Sequence, residues 1–168
     1  RAAPAGGGVE TGGGGGTNDS SIYHLFVEQA IRLEPRYLSM VIPSRWMAGG
    51  RGMDEFRKTM LSGQHISHLV DYPNSAQVFP SVDLKSGVCY FLWDNQHAGD
   101  CAATLIRGDE VVGPTKRKLD EHDVFIRDER AAVILKKVLK QKESSFEDLL
   151  TGDTPFGLAT NFTGFKPS

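Results

Sequence analysis

Arg36-Tyr37-Leu38-Ser39-Met40-Val41-Ile42-Pro43-Ser44-Arg45-Trp46 is the stretch whose reading decides the fold. Tyr37, Leu38, Met40, Val41, Ile42 and Trp46 are apolar, and the run 38–42 is interrupted only by Ser39. That density predicts a strand covered on both faces, as in the centre of a parallel sheet, rather than a half-exposed one. Pro43 has no amide hydrogen to give a neighbouring strand, so the ladder should stop there. The chain then carries Ser44, Arg45 and Trp46 into Ala48-Gly49-Gly50-Arg51-Gly52, and a helical pattern resumes at Met53. Ligands of open α/β sheets bind beyond the carboxyl ends of the strands, which makes this the predicted working edge.

Upstream, Asn18, Asp19, Ser20 and Ser21 offer N-caps for a helix over 22–33. Ile22, Phe26, Ala30 and Leu33 recur at helical spacing and are its predicted buried stripe, with Pro35 ending it. Helix, short turn and parallel strand make half of a βαβ unit, so a further strand is expected before residue 1, as in a fragment of a larger domain. The segment 1–17 is rich in Gly and Ala and reads as a flexible linker. No Gly-Lys-Ser/Thr follows its glycines, which argues against a phosphate loop.

Downstream, a second helix is predicted over 53–61, with Phe56, Met60 and Leu61 inward, Arg57 and Lys58 toward solvent, and Gly63 as its C-cap. Strands follow over 65–72, 87–93 and 101–106, with short edge strands at 110–112 and 124–126. Tyr72-Pro73-Asn74-Ser75 and Gln96-His97-Ala98-Gly99 are turns between them. A last helix is predicted over 127–142, its apolar face formed by Ala131, Ile134, Leu135 and Val138.

The totals narrow the function. The 168 residues suit one domain or most of one. A net charge of −2 gives no global pull toward nucleic acid, so a DNA contact has to come from a local basic surface. Cys89 and Cys101 are too few for a disulfide framework or a thiolate zinc site, and both read as reduced thiols of a cytoplasmic protein. No apolar run approaches the ~18 residues of a membrane span.

Several groups invite a chemical reading. His65 and His68, three apart in a predicted strand, point to opposite faces and make a poor metal pair. Asp71 followed by Asp83-Leu84-Lys85 has the residue types with which metal-dependent nucleases hold Mg²⁺ and activate water. Arg45 and Arg51, beside glycine amides at a strand end, suit a phosphate oxygen, although a solvated glycine loop suits the same residues. Phe79 stands between a turn and Pro80, outside any strong strand, either closing the end of the sheet or serving a ligand.

Five stretches, taken in order, resemble the γ-type DNA adenine-N6 methyltransferases of restriction-modification systems, in particular the subgroup in which restriction and modification are fused. They are Ile22-Tyr23-His24-Leu25-Phe26-Val27-Glu28-Gln29-Ala30, Met40-Val41-Ile42-Pro43-Ser44-Arg45-Trp46, Asp54-Glu55-Phe56-Arg57-Lys58, Val78-Phe79-Pro80 and Gly87-Val88-Cys89-Tyr90-Phe91. The resemblance covers roughly 20–105 and, more loosely, 127–162. It lies in the part of the catalytic domain that follows the family's Asn-Pro-Pro-Tyr loop. It implies an α/β fold, a partial Rossmann-like methyltransferase domain whose mixed sheet has flanking helices. By the same resemblance, 18–143 would be the carboxyl-terminal half of that domain and 144–168 a passage toward a target-recognition domain.

What the family does follows as implication. Such enzymes flip an adenine out of double-stranded DNA and transfer a methyl group to its N6 from S-adenosylmethionine. The Phe of the family's Val-Phe-Pro motif, which stacks on the flipped base, matches Phe79. Arg45 and Arg51 would then meet the DNA backbone. This chain has no Asn-Pro-Pro and no strand-linked Gly-x-Gly, so no catalytic, cofactor-binding or metal-binding residues are expected in it, and its partner would be the remainder of a longer polypeptide. The alternatives are a non-catalytic DNA-binding or specificity module, and a magnesium nuclease built on Asp71, Asp83 and Lys85.

Overall fold

A computed structural model describes residues 21–49 and 52–142. The chain divides into two compact units, Arg1–Glu129 and Arg130–Ser168. The predicted segments 1–17 and 144–168, and the candidate Arg51, lie outside the described residues.

The first unit carries a five-stranded mixed sheet. Helix α1 (Tyr23–Arg32) leads into β1 (Tyr37–Pro43), a 3-10 turn (Ser44–Met47) and helix α2 (Asp54–Ser62). Then come β2 (Ile66–Tyr72), β3 (Val88–Asp94), β4 (Cys101–Arg107) and β5 (Glu110–Arg117). The strand order is β1-β3-β2-β4-β5. Strand β3 runs antiparallel to both β1 and β2, while β4 is parallel to β2 and antiparallel to β5. Strands β1, β2 and β4 therefore end at the same edge of the sheet.

The alternation of side chains along β1 puts Leu38, Met40 and Ile42 on the core side. There they join Phe91 and Trp93 of β3, Ile66 and Leu69 of β2, and Phe56, Met60 and Leu61 of α2. Helix α1 adds Val27, fully buried, with Tyr23 and Ile31 packed beside it. Rings interlock across this layer, Phe56 meeting Tyr23 and Trp46 edge-on at centroid distances of 6.1 and 6.0 Å. Phe56, Met60 and Leu61 point inward, as their spacing predicts.

Several expectations change. Strand β1 is not central: among the described residues it is an edge strand paired only with β3, and Tyr37 and Val41 on its outer face are 59% and 51% exposed. Helix α1 buries the stripe Tyr23, Val27, Ile31 instead of Ile22, Phe26, Ala30, Leu33; Phe26 is 63% and Leu33 83% exposed. Both stripes have helical spacing, and the one that meets Phe56 and β1 is chosen by packing. Arg57 is buried rather than solvated. The predicted strand at 124–126 is irregular backbone, although Phe125 is buried in the core.

The edge strand predicted at 110–112 extends to Arg117, and its Gly113-Pro114 bond is cis. Pro is tolerated there because, among the described residues, β5 has a neighbouring strand on one side only. Helix α3 (Glu129–Leu139) buries Ala132, whereas Ile134 and Val138 of its predicted inner face are exposed.

Candidate functional site

Pro43, Val88 and Tyr72 stand abreast at the edge where β1 and β2 end. Beyond it β1 runs into the 3-10 turn, whose first amide, from Ser44, donates to the Gly87 carbonyl at 3.0 Å. Gly87 has φ +74°, and a Cβ there would lie 2.1 Å from the Tyr72 carbonyl oxygen, so only glycine allows this approach of β2 and β3.

Of the four turn residues, Ser44, Trp46 and Met47 are buried and Arg45 is exposed. The buried three are each tied down. Arg57 reaches back from α2, its Nε donating to the Trp46 carbonyl at 2.7 Å and its Nη2 to the Gly49 carbonyl at 3.0 Å. The Phe125 amide donates to the Met47 carbonyl at 2.7 Å. The Ser44 hydroxyl donates to Asp71 Oδ1 at 2.7 Å.

Asp71, on β2, is 2% exposed, and Arg127 grips both of its oxygens through Nε (2.5 Å) and Nη2 (2.6 Å). The third nitrogen of Arg127 donates to the Ser86 carbonyl at 2.9 Å. This bidentate, charge-assisted pairing occupies the carboxylate. Asp83 and Lys85 are exposed in the loop between β2 and β3. The nuclease arrangement of Asp71, Asp83 and Lys85 is therefore not assembled: its buried carboxylate faces Arg127 and Ser44 instead of solvent and a metal ion. Among the described residues no group of three or more His, Cys, Asp or Glu side chains is placed to hold a metal ion.

Phe79 lies in the loop after β2, its ring partly exposed at 41%. The loop is built around the buried Ser75. Its hydroxyl donates to the Val82 carbonyl at 2.7 Å and accepts the Leu84 amide at 3.0 Å. Its carbonyl accepts the Phe79 amide at 2.8 Å, and Asn74 caps the short turn through the Ala76 amide. The backbone under Phe79 is thus fixed by hydrogen bonds while the ring remains available. Arg45 and Phe79, both exposed, lie in the segments that follow β1 and β2, two strands that end at the same edge of the sheet with the start of β3 between them. Such a pair suits a phosphate and a planar heterocycle.

Beneath the edge, burial pushes the Cys89 thiol up to about 12. Burial likewise raises the Tyr23 phenol to about 12. Neither group ionises near neutral pH, which excludes both as bases or nucleophiles there.

Sequence reasoning missed the tethers Ser44, Arg57, Ser75 and Arg127, and met Asp71 only as a metal ligand. Arg57 had a local signal in Asp54, three residues before it on α2 and paired with it at 2.9 Å. Arg127 had none, since Asp71 is 56 residues away.

Residues 10–79 match the Eco57I restriction-modification methylase family. The chain is also similar to an uncharacterized adenine-specific methylase of Mycoplasma pneumoniae, with 34% identity over 88 residues. That alignment takes in 52% of this chain and 21% of the relative, so the chain spans about a fifth of the relative's length. The family match contains α1, β1, the Arg45 turn, α2, β2 and Phe79.

Proposed function

We propose that this chain is part of the catalytic domain of a γ-type DNA adenine-N6 methyltransferase of a restriction-modification system. Within it, Phe79 contributes to the pocket for the flipped adenine and Arg45, with Arg51, meets the DNA backbone. The observation that carries the reading is the placement of the Arg45 turn and the Phe79 loop at one edge of the sheet, inside the methylase-like stretch 10–79. A base taken out of a duplex loses its stacking, and an aromatic ring held on a fixed loop replaces it. The exposed apolar residues Ile22, Leu25 and Phe26 at and within the start of α1, and the side of β1 that pairs with no strand among the described residues, suit a unit that continues against further protein.

The methyl donor of such an enzyme is S-adenosylmethionine, and no residue of this chain is proposed to hold it. The chain lacks Asn-Pro-Pro and a strand-linked Gly-x-Gly, and the buried carboxylate of the edge is engaged with Arg127 and Ser44. Cofactor and catalytic groups are assigned to the rest of the polypeptide, and double-stranded DNA is the substrate. The setting is the cytoplasm; no helix among the described residues is long and apolar enough to cross a membrane.

Phe79→Ala in the full-length protein tests the reading. Stacking of a base on an aromatic ring is worth roughly 1–3 kcal/mol by alanine substitution. Capture of 2-aminopurine at the target position should weaken by about that amount, and Phe79→Trp should restore much of it. A folded Phe79→Ala protein with unchanged capture would remove Phe79 from the pocket.

A further inference from the structure

We infer that the buried Asp71–Arg127 pair is a positioning element, which sets the Ser44–Met47 turn so that Arg45 is presented to a DNA phosphate. The inference rests on the DNA-facing role proposed above and adds to it a device distant in sequence. A buried ion pair is weak evidence of stability, because taking both charges out of water offsets much of their attraction and apolar residues of similar volume often serve as well. What the pair does here is geometric. Asp71 receives Arg127 on both oxygens and the Ser44 hydroxyl on Oδ1 at 2.7 Å, so β2, the first turn residue and the segment after β5 meet at one carboxylate. Arg127 also fastens the Ser86 carbonyl, next to the Gly87 carbonyl that accepts the Ser44 amide. Two residues before Arg127, the Phe125 amide holds the Met47 carbonyl at 2.7 Å.

The turn is thus held at its first residue through Asp71 and at its last through Phe125. Between them Trp46 is held by Arg57. Arg45 is the one exposed residue among the four, carried on a backbone with little freedom to turn away. A phosphate contact made from such a mount costs little side-chain and loop ordering on binding. Ser44 is the link that transmits the position of the pair to the turn.

The test is a salt titration of duplex binding by the full-length protein with Arg45→Ala, Ser44→Ala, Arg127→Lys and the doubles that combine Arg45→Ala with each. Losing one phosphate contact lowers the slope of log K against log salt by about 0.9. Arg45→Ala should show that loss, Ser44→Ala and Arg127→Lys should show part or all of it, and neither should lower the slope further once Arg45 is gone. Ser44→Ala leaves the ion pair whole, so it keeps the test valid if Arg127→Lys fails to fold. Losses that add fully in the doubles, or a Ser44→Ala slope equal to the wild type beside a lowered Arg45→Ala slope, would overturn the positioning role and leave the phosphate contact standing. An unchanged slope in Arg45→Ala would overturn the phosphate contact itself, and the positioning role with it.

Discussion

Replacing Arg57 by Ala should cost the fold more than any other change of a charged residue on α2. Arg57 is 9% exposed, and its guanidinium makes three contacts of unequal worth. Its bond to the Trp46 carbonyl, 2.7 Å long, lies in the interior, and truncation removes that oxygen's side-chain donor among the described residues. An unsatisfied buried acceptor costs about 1–3 kcal/mol. The Gly49 carbonyl is only half-buried, so water replaces part of that bond and the loss is toward the lower end. The contact with Asp54 adds little, since that carboxylate is 81% exposed and surface pairs contribute about 0–1 kcal/mol. The sum is about 2–4 kcal/mol. With a urea slope of roughly 2 kcal/mol per molar, the unfolding midpoint should fall by about 1–2 M. Trp46 and Trp93, both buried, report the transition by fluorescence. Asp54→Ala is the control and should stay near the wild type, while Arg57→Lys, with a single ammonium, should fall between. If Arg57→Ala and Asp54→Ala shared one midpoint, the capping of the turn by Arg57 would be energetically empty.

Four further outcomes follow from individual sites. Cys89 and Cys101 should resist thiol reagents at pH 8 in the native protein and react on unfolding, because burial raises both thiols to about 12; rapid native labelling contradicts their burial. The same shifts mean that the unfolded chain releases these protons first, so stability should decline as pH rises from about 9 toward 12, measured by urea midpoints across that window. Gly87→Ala should cost about 1–3 kcal/mol from its positive φ alone and more from overlap with the Tyr72 carbonyl, and a midpoint equal to the wild type would show that the strand end relaxes freely. Phe56→Ala, at a ring 1% exposed, should cost about 3–5 kcal/mol, whereas Phe79→Ala, at a ring 41% exposed, should cost clearly less; comparable melting temperatures would make Phe79 a core residue.

The local elements were legible in the sequence because their signals act within a few residues. The apolar density of 38–42 specifies a strand, and Pro43 ends it. The position of Phe79 on a loop after β2 was readable for the same reason, while the mixed sheet with flanking helices was implied by the family resemblance. The inward residues of α2 followed from periodicity, since Phe56, Met60 and Leu61 form its apolar stripe.

Tertiary structure alone decided the rest. Helix α1 has two stripes of helical spacing, and the choice of Val27 over Phe26 depends on which meets Phe56. The density of β1 matched a central strand, yet its place at the edge depends on which strands pair with it, and pairing is a property of register and topology. The charged residues diverged most. Arg57 and Asp71 have the composition of surface or metal-binding groups, and became tethers because the fold closes carbonyls, a serine and Arg127 around them. A hydrogen bond between residues 56 apart leaves no periodic trace in a chain, because its geometry exists only once the strands that carry its partners have been brought together.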